Sequence, residues 1–195
     1  MRARDFILQT RTDLQEKSEH WRDEELLLKL QRAYISLQFD LPCFVARETL
    51  AITEGTTSYY LNFPPLKNIS MVVDGVSLAF TTLENFYAQP CEKSYTFENQ
   101  SLLLGFVPLV DTDGVVVYKH AKELANENCE VEIPITHHKA LRLLFLSEIH
   151  EKPTRNSKER VLSSHYLKLY EQEMMRLKVL QPMRAKNITS NYQRI

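Results

Sequence analysis

The side chains that could do chemistry are few, and their spacing argues against each reaction they suggest. His137 and His138 are adjacent, and a helix turns adjacent residues about 100° apart, so they do not converge on a metal as an i, i+4 pair does. They read as ordinary residues of a first helical turn. His165 lies at the edge of an apolar stripe and reads as a core or interface histidine rather than a general base. Asp111-x-Asp113-Gly114 has the opening of a calcium loop, yet Gly114 comes too early and no glutamate follows at the required spacing, so a turn is expected. Cys43, Cys91 and Cys129 are odd in number and far apart, which excludes a disulfide scaffold and a Cys-x-x-Cys metal pattern. Cys43, between Pro42 and Phe44, and Cys129, between Asn128 and Glu130, have no adjacent cation to lower a thiol pKa, so inert, reduced thiols are expected. Gly-x-Gly-x-x-Gly and Gly-Lys-Ser/Thr are both missing, and with them the loops whose backbone amides hold a phosphate. The expectation is a protein that is not an enzyme, with no catalytic residue, no metal and no cofactor.

The elements that would position these side chains fall into helical, β and helical stretches. Residues 3–17 read as a helix with Phe6, Ile7 and Leu14 inward. Residues 23–39 read as a stronger one: Leu26, Leu30, Ala33 and Leu37 recur at the 4-3-4 spacing of one face, and Leu27 and Tyr34 broaden it. Asp23, Glu24 and Glu25 occupy its first turn, where carboxylates suit the helix dipole, and Pro42 ends the helical region. From Phe44 to about Pro134, short β-branched and aromatic runs alternate with turn residues. Asp74-Gly75, between Met71-Val72-Val73 and Val76-Ser77-Leu78, is the strongest hairpin signal. Glu54-Gly55 is expected to link the run ending at Ile52 to Tyr59-Tyr60-Leu61, and Asn99-Gln100 to turn Tyr95-Thr96-Phe97 into Leu102-Leu103-Leu104. Asp111-Thr112-Asp113-Gly114 is expected to turn 107–110 into 115–118. These are the turns of an antiparallel meander. No βαβ crossover fits such short runs, which argues against a doubly wound nucleotide-binding sheet.

Helices resume after Pro134, with Thr136 as N-cap of 137–150. Ala140, Leu141, Leu143, Leu144, Phe145, Leu146 and Ile149 surround that segment, as in a central core helix or a subunit interface. Asn156-x-x-Glu159 has the form of a capping box opening a helix to about Leu180, with Leu162, Tyr166, Leu169, Tyr170, Met174 and Leu177 inward. Pro182 stops it in this reading. The fold class is therefore α+β: two N-terminal helices at 1–40, an inserted antiparallel β-meander sub-domain at 41–135, two C-terminal helices at 136–180 and an extended C-terminal tail at 181–195. The tail has no acid after Pro182, and such a segment is disordered or orders on a partner.

Composition narrows the function class. With 195 residues there is room for one well-buried domain, or one with a sub-domain, and 44% apolar against 25% charged residues is an ordinary globular balance. No run approaches the roughly 18 apolar residues of a membrane span. Met1-Arg2-Ala3-Arg4-Asp5 leads into a mixed helix without an apolar core, so no secretory signal is expected, and the Asn-x-Ser/Thr triplets at Asn68, Asn99 and Asn187 read as chance. The net charge of −1 conceals 7 basic and 8 acidic residues in 1–40, 5 and 12 in 41–136, and 12 and 5 in 137–195. Either the acidic middle and basic end face each other within one fold, or they meet between neighbouring subunits. Tyr59, Tyr60, Phe80, Phe86, Tyr87, Tyr95 and Phe97 would stack bases only beside cations, and their region is acidic.

The order of these stretches resembles the head-to-tail adaptor, or connector, proteins of tailed bacteriophages. The resemblance rests on Ile7, Leu8, Thr10, Asp13 and Leu14, then Trp21-Arg22-Asp23-Glu24-Glu25-Leu26-Leu27-x-x-Leu30-Gln31-x-Ala33, then Ile52-x-x-Gly55-Thr56-x-x-Tyr59-x-Leu61-x-x-Pro64, and two closing helices. Trp21, Asp23, Leu26, Leu27 and Leu30 form its structural signature, while Arg22 stands where the family tends to place a helix-capping Ser or Thr. The resemblance implies a helical-bundle body in a ring of about a dozen copies beneath the portal protein. It implies a location in the virion neck, reached from the host cytoplasm during assembly, with no membrane. The ring would extend the channel through which packaged DNA passes without sequence-specific binding, and would present a surface to the next neck or tail protein. Portal contact would fall to the tail, through Arg184, Lys186, Ile188, Tyr192, Arg194 and Ile195. The alternatives are another neck component, a head-completion or tail-terminator protein, and a small DNA-binding regulator.

Overall fold

In a computed structural model the chain is mixed α+β, with residues 1–14, 21–89, 91–151 and 157–192 described. In chain order the elements are α1 (Ala3–Asp13), α2 (Asp23–Asp40), β1 (Phe44–Ile52), β2 (Ser58–Tyr60), β3 (Pro65–Val73), β4 (Val76–Phe80) and α3 (Leu83–Ala88). They continue with β5 (Ser94–Glu98), β6 (Ser101–Leu104), β7 (Thr112–His120), a 3₁₀ turn (Ile135–His137), α4 (His138–His150) and α5 (Ser157–Tyr192). They divide into two compact units: Met1–Leu37 with Glu123–Ile195, and Gln38–Lys122. The segment 123–134 thus falls with the helices.

In the helical unit, burial follows the apolar periodicity. Leu26, Leu30, Ala33, Tyr34 and Leu37 of α2 are buried, as are Ala140, Leu141, Leu144, Phe145, Leu146 and Ile149 of α4. Each such leucine, isoleucine or phenylalanine removed from water stabilises the unit by roughly 1.5–3 kcal/mol before entropy is counted. α1 is tied down at its start: the Ala3 and Arg4 amides donate to the Cys129 and Glu127 carbonyls at 2.9 and 2.8 Å, while Phe6 packs against Phe145, ring centroids 6.1 Å apart. α5 lies on α4 through Tyr170, Met174 and Leu177, which are buried. The expected extended tail is a correction: α5 continues as helix through Pro182 to Tyr192. Proline removes only its own i→i−4 bond, a cost of about 3 kcal/mol, and the flanking Met183, Arg184, Ala185 and Lys186 favour helix. The proposed capping box lies outside the described residues at Asn156.

The sheet unit has the strand order β1-β7-β3-β4-β5-β6-β2 and is barrel-like. β7 sits between β1, paired from Phe44↔His120 to Ile52↔Thr112, and β3, paired from Pro65↔His120 to Val73↔Gly114 with register shifts between Pro65 and Lys67 and between Asn68 and Ser70. Val116, Tyr118 and His120 alternate as its buried residues, the period-two signature of a strand with one face covered. They join a core that includes Ala46, Ile52, Leu61, Met71, Val73, Tyr95 and Leu102. Its two ends are joined by one side chain: Gln38 Nε2 donates to the Lys122 carbonyl at 2.9 Å, and the Lys122 amide donates to Gln38 Oε1 at 2.7 Å. A side-chain amide thereby pairs as a backbone peptide does.

The expected meander is also corrected. β1 and β2 do not pair across Glu54-Gly55, since β1 pairs with β7 and β2 with β6. β4 and β5 are parallel, Ala79↔Ser94 and Phe80↔Tyr95, and α3, with Phe86 buried, bridges them as the short crossover that the sequence reading excluded. Residues 107–110 form no strand, because Pro108 has no amide for a ladder and the side chains around it face solvent. Asp111–Gly114 is therefore no hairpin turn. Gly114 lies within β7, where an added Cβ would come within 3.1 Å of Ile52 and 3.4 Å of Val73. Two expected hairpins do form. Asp74 (φ 48°) and Gly75 (φ 73°) turn between paired Val73 and Val76, and Asn99 (φ 53°) turns between paired Glu98 and Ser101.

Candidate functional site

The candidate catalytic and metal-binding side chains are not brought together. Among the described residues, no group of three or more His, Cys, Asp or Glu could hold a metal ion. His137 ends the 3₁₀ turn and is buried, while His138 opens α4 with its ring edge-on to Phe6 at 6.5 Å. Thr136 lies inside that turn rather than capping the helix, the cap position being His137. His165 is exposed, not a core histidine; it precedes buried Tyr170 by five positions, about 140° around the helix. Lys119 and Lys122 lie near enough to Cys43 to favour its thiolate, but burial outweighs them and pushes the thiol up. Those cations come from β7 and the residues after it, so the local sequence could not show them.

The signature residues serve packing. The Arg11 guanidinium pairs with Asp23 and donates to the Trp21 carbonyl at 3.1 Å, so it staples the end of α1 to the start of α2. Lys29 Nζ lies 5.1 Å from the centre of the half-buried Trp21 ring. Leu26 and Leu30 are buried and Leu27 is partly so. Of the tail residues, Arg184, Lys186, Ile188 and Tyr192 lie on the α5 backbone. Their side chains, and all of Arg194 and Ile195, lie outside the described residues.

What the structure does assemble is a set of surfaces. At one end of the sheet two loops are tied together: the Gly55 amide donates to the Pro108 carbonyl at 2.9 Å, and the Glu54 amide to Asp111 Oδ1 at 2.8 Å. Around them Val107, Leu109 and Val110 are 59%, 82% and 68% exposed, beside a groove of about 260 Å³ lined in part by Val76, Leu78, Phe106 and Pro108. Glu54, Asp74, Asp111 and Asp113 stand exposed at the same end. The reading of 107–110 as a strand hid this loop; the signal available was Pro108 in the middle of the run.

The helical unit carries a polar cleft of about 600 Å³ lined by Lys29, Arg32, Glu148, His150, Glu151 and Arg160, among others. Burial and then Glu151 raise the Glu148 carboxyl, while Lys29 and Arg32 oppose them. His150 stacks on Tyr166 at 5.6 Å. Nearby in sequence, α5 buries Glu173, which receives Lys139 Nζ at 3.0 Å and Arg176 Nε at 2.9 Å. The Glu173 charge is matched within the unit by Lys139 and Arg176, and Ser163 and Ser164 also line the cleft, Ser163 donating its hydroxyl to the Ser147 carbonyl at 3.0 Å. Glu173 was legible as a charge inside the Tyr170–Met174–Leu177 stripe. No protein-family model and no curated protein matches the chain.

Proposed function

We propose that the chain is a structural protein of the neck of a tailed bacteriophage: a head-to-tail adaptor whose copies form a ring beneath the portal. The observation that carries this reading is the partition of the chain. Residues 38–122 form one compact sheet unit inserted between α2 and α4, the order in which the adaptor resemblance places its elements. In this reading α1, α2, α4 and α5 supply the helical-bundle body, and function is mechanical and adhesive, through surfaces rather than a reaction centre. The end of α5 beyond Leu180, rather than an extended tail, reaches the portal with Arg184, Lys186, Ile188 and Tyr192. Basic residues without acids among them suit a complementary acidic surface, and a helix ordered in advance lowers the entropy cost of docking.

Two measurements test it. Quantitative mass spectrometry of purified particles is expected to give this chain and the portal protein in equal copy number; absence from particles removes the reading. A chain truncated after Leu180 is expected to keep its thermal unfolding transition and lose binding to isolated portal rings, and normal binding by the truncated chain would remove the role of α5.

A further inference from the structure

Two exposed surfaces of this chain are complementary to each other and not to themselves. The loop end of the sheet unit presents Val76, Val107, Leu109 and Val110 among the exposed carboxylates Glu54, Asp74, Asp111 and Asp113. On α5, Val161, Lys168, Gln172, Met175 and Val179 follow one another at intervals of seven, four, three and four residues, which sets them on one stripe of the helix. That stripe is opposite the buried Tyr170, Met174 and Leu177, and Val161, Met175 and Val179 are 67%, 68% and 60% exposed. Arg160 and Lys178 are exposed beside it, with the single acid Glu171 on the same side, so with Lys168 the cations outnumber the carboxylate there. One surface is apolar and acidic, the other apolar and basic.

We propose that these surfaces bind each other between copies: the loop end of one chain seats on the outward face of α5 in the next. This deepens the ring reading and rests on it, because it names the contact by which copies would associate. Apolar side chains from both sides would leave water together, and carboxylates would meet cations. Either surface paired with its own duplicate would set like charges against one another, which disfavours a symmetric dimer. Two unlike surfaces make a head-to-tail contact, and such a contact closes into a ring or extends as a filament.

Sedimentation of the full chain from micromolar to millimolar concentration tests the contact. The wild type is expected to associate progressively, and to do so less as salt rises, because the charges involved are exposed. Leu109→Glu spoils one surface and Met175→Glu the other, so each variant alone is expected to sediment as a monomer. Their equimolar mixture is expected to form dimers and nothing larger, because one productive pairing survives. Both positions are exposed, and a thermal transition matching the wild type verifies folding. As an independent pair, Asp113→Lys and Lys168→Glu should each weaken association, and the two changes in one chain should restore it. A wild type that stays monomeric throughout, variants that associate as it does, or a mixture that stays monomeric each overturns the contact. No portal is present in these experiments, so equal copy number in particles alongside such a result would leave the adaptor reading standing without this interface.

Discussion

Glu173 shows how a single residue departs from its local pattern. It occupies a buried position on α5 and keeps its charge through Arg176 and Lys139, whose hydrogen bonds and charges outweigh burial and hold its carboxyl below the usual range. A carboxyl depressed in the folded state binds fewer protons there than in the unfolded chain. Its contribution is therefore complete above the ordinary carboxylate value of 4.5 and is lost as pH falls through the lower folded value. Glu173→Gln is expected to lower stability by about 1.5–3 kcal/mol at neutral pH, the scale of a hydrogen bond to a charged group. Urea unfolding between neutral pH and pH about 3 checks this: the wild type should lose its advantage over the variant only in the acid part of that range. A constant difference would show that the carboxylate's charge is not what stabilises the site.

Helix α5 raises a different question, because its backbone stays helical across a residue that cannot complete the ladder. Pro182 leaves the Lys178 carbonyl without the amide that an ordinary residue at 182 would supply. Pro182→Ala restores that bond. It is expected to slow amide exchange across 183–192 several-fold while leaving the global unfolding midpoint unchanged, since those residues follow the buried Tyr170–Leu177 stretch. Hydrogen exchange resolved by residue checks it, and unchanged exchange across 183–192 would count against a helix that ends at Tyr192. The β elements teach the complementary lesson. Asp74-Gly75 dictates its hairpin because both residues adopt positive φ, which few other pairs tolerate. Glu54-Gly55 has a similar sound in the sequence, and Gly55 does turn at φ 76°, yet no hairpin follows because each flanking strand pairs elsewhere.

At the scale of the molecule, the sheet unit is a continuous stretch with its own core, and Gln38 joins its first and last residues by two hydrogen bonds. Residues 38–122 expressed alone are expected to fold, with a cooperative urea transition and a stability of a few kcal/mol, modest because a small unit buries a small fraction of its surface. Near-UV circular dichroism of Tyr95 and Tyr118, both fully buried, reads the outcome. A featureless spectrum without a transition would mean that the unit depends on the helices. Gln38→Leu in the isolated unit should then lower the midpoint further, because it removes both bonds at the junction.

The sequence by itself determined where most helices and strands lie, though not α3, the loop at 107–110 or the helical end of α5, because helical and strand periodicities are properties of neighbouring residues and need no partner to be read. The buried faces of α2 and α4 followed from it, and so did the two hairpins whose turn residues need positive φ. It also determined that none of the familiar motifs for phosphate or metal binding is present. Strand partners were decided only by tertiary structure: β7 has β1 and β3 as neighbours, and β4 runs parallel to β5, because pairing depends on which apolar faces cover one another across long sequence separations. The same holds for the lysines beside Cys43, the Lys139 partner of Glu173 and the exposed loop around Pro108. Each depends on residues brought together from distant parts of the chain, or on a strand that lost its place in the ladder to another.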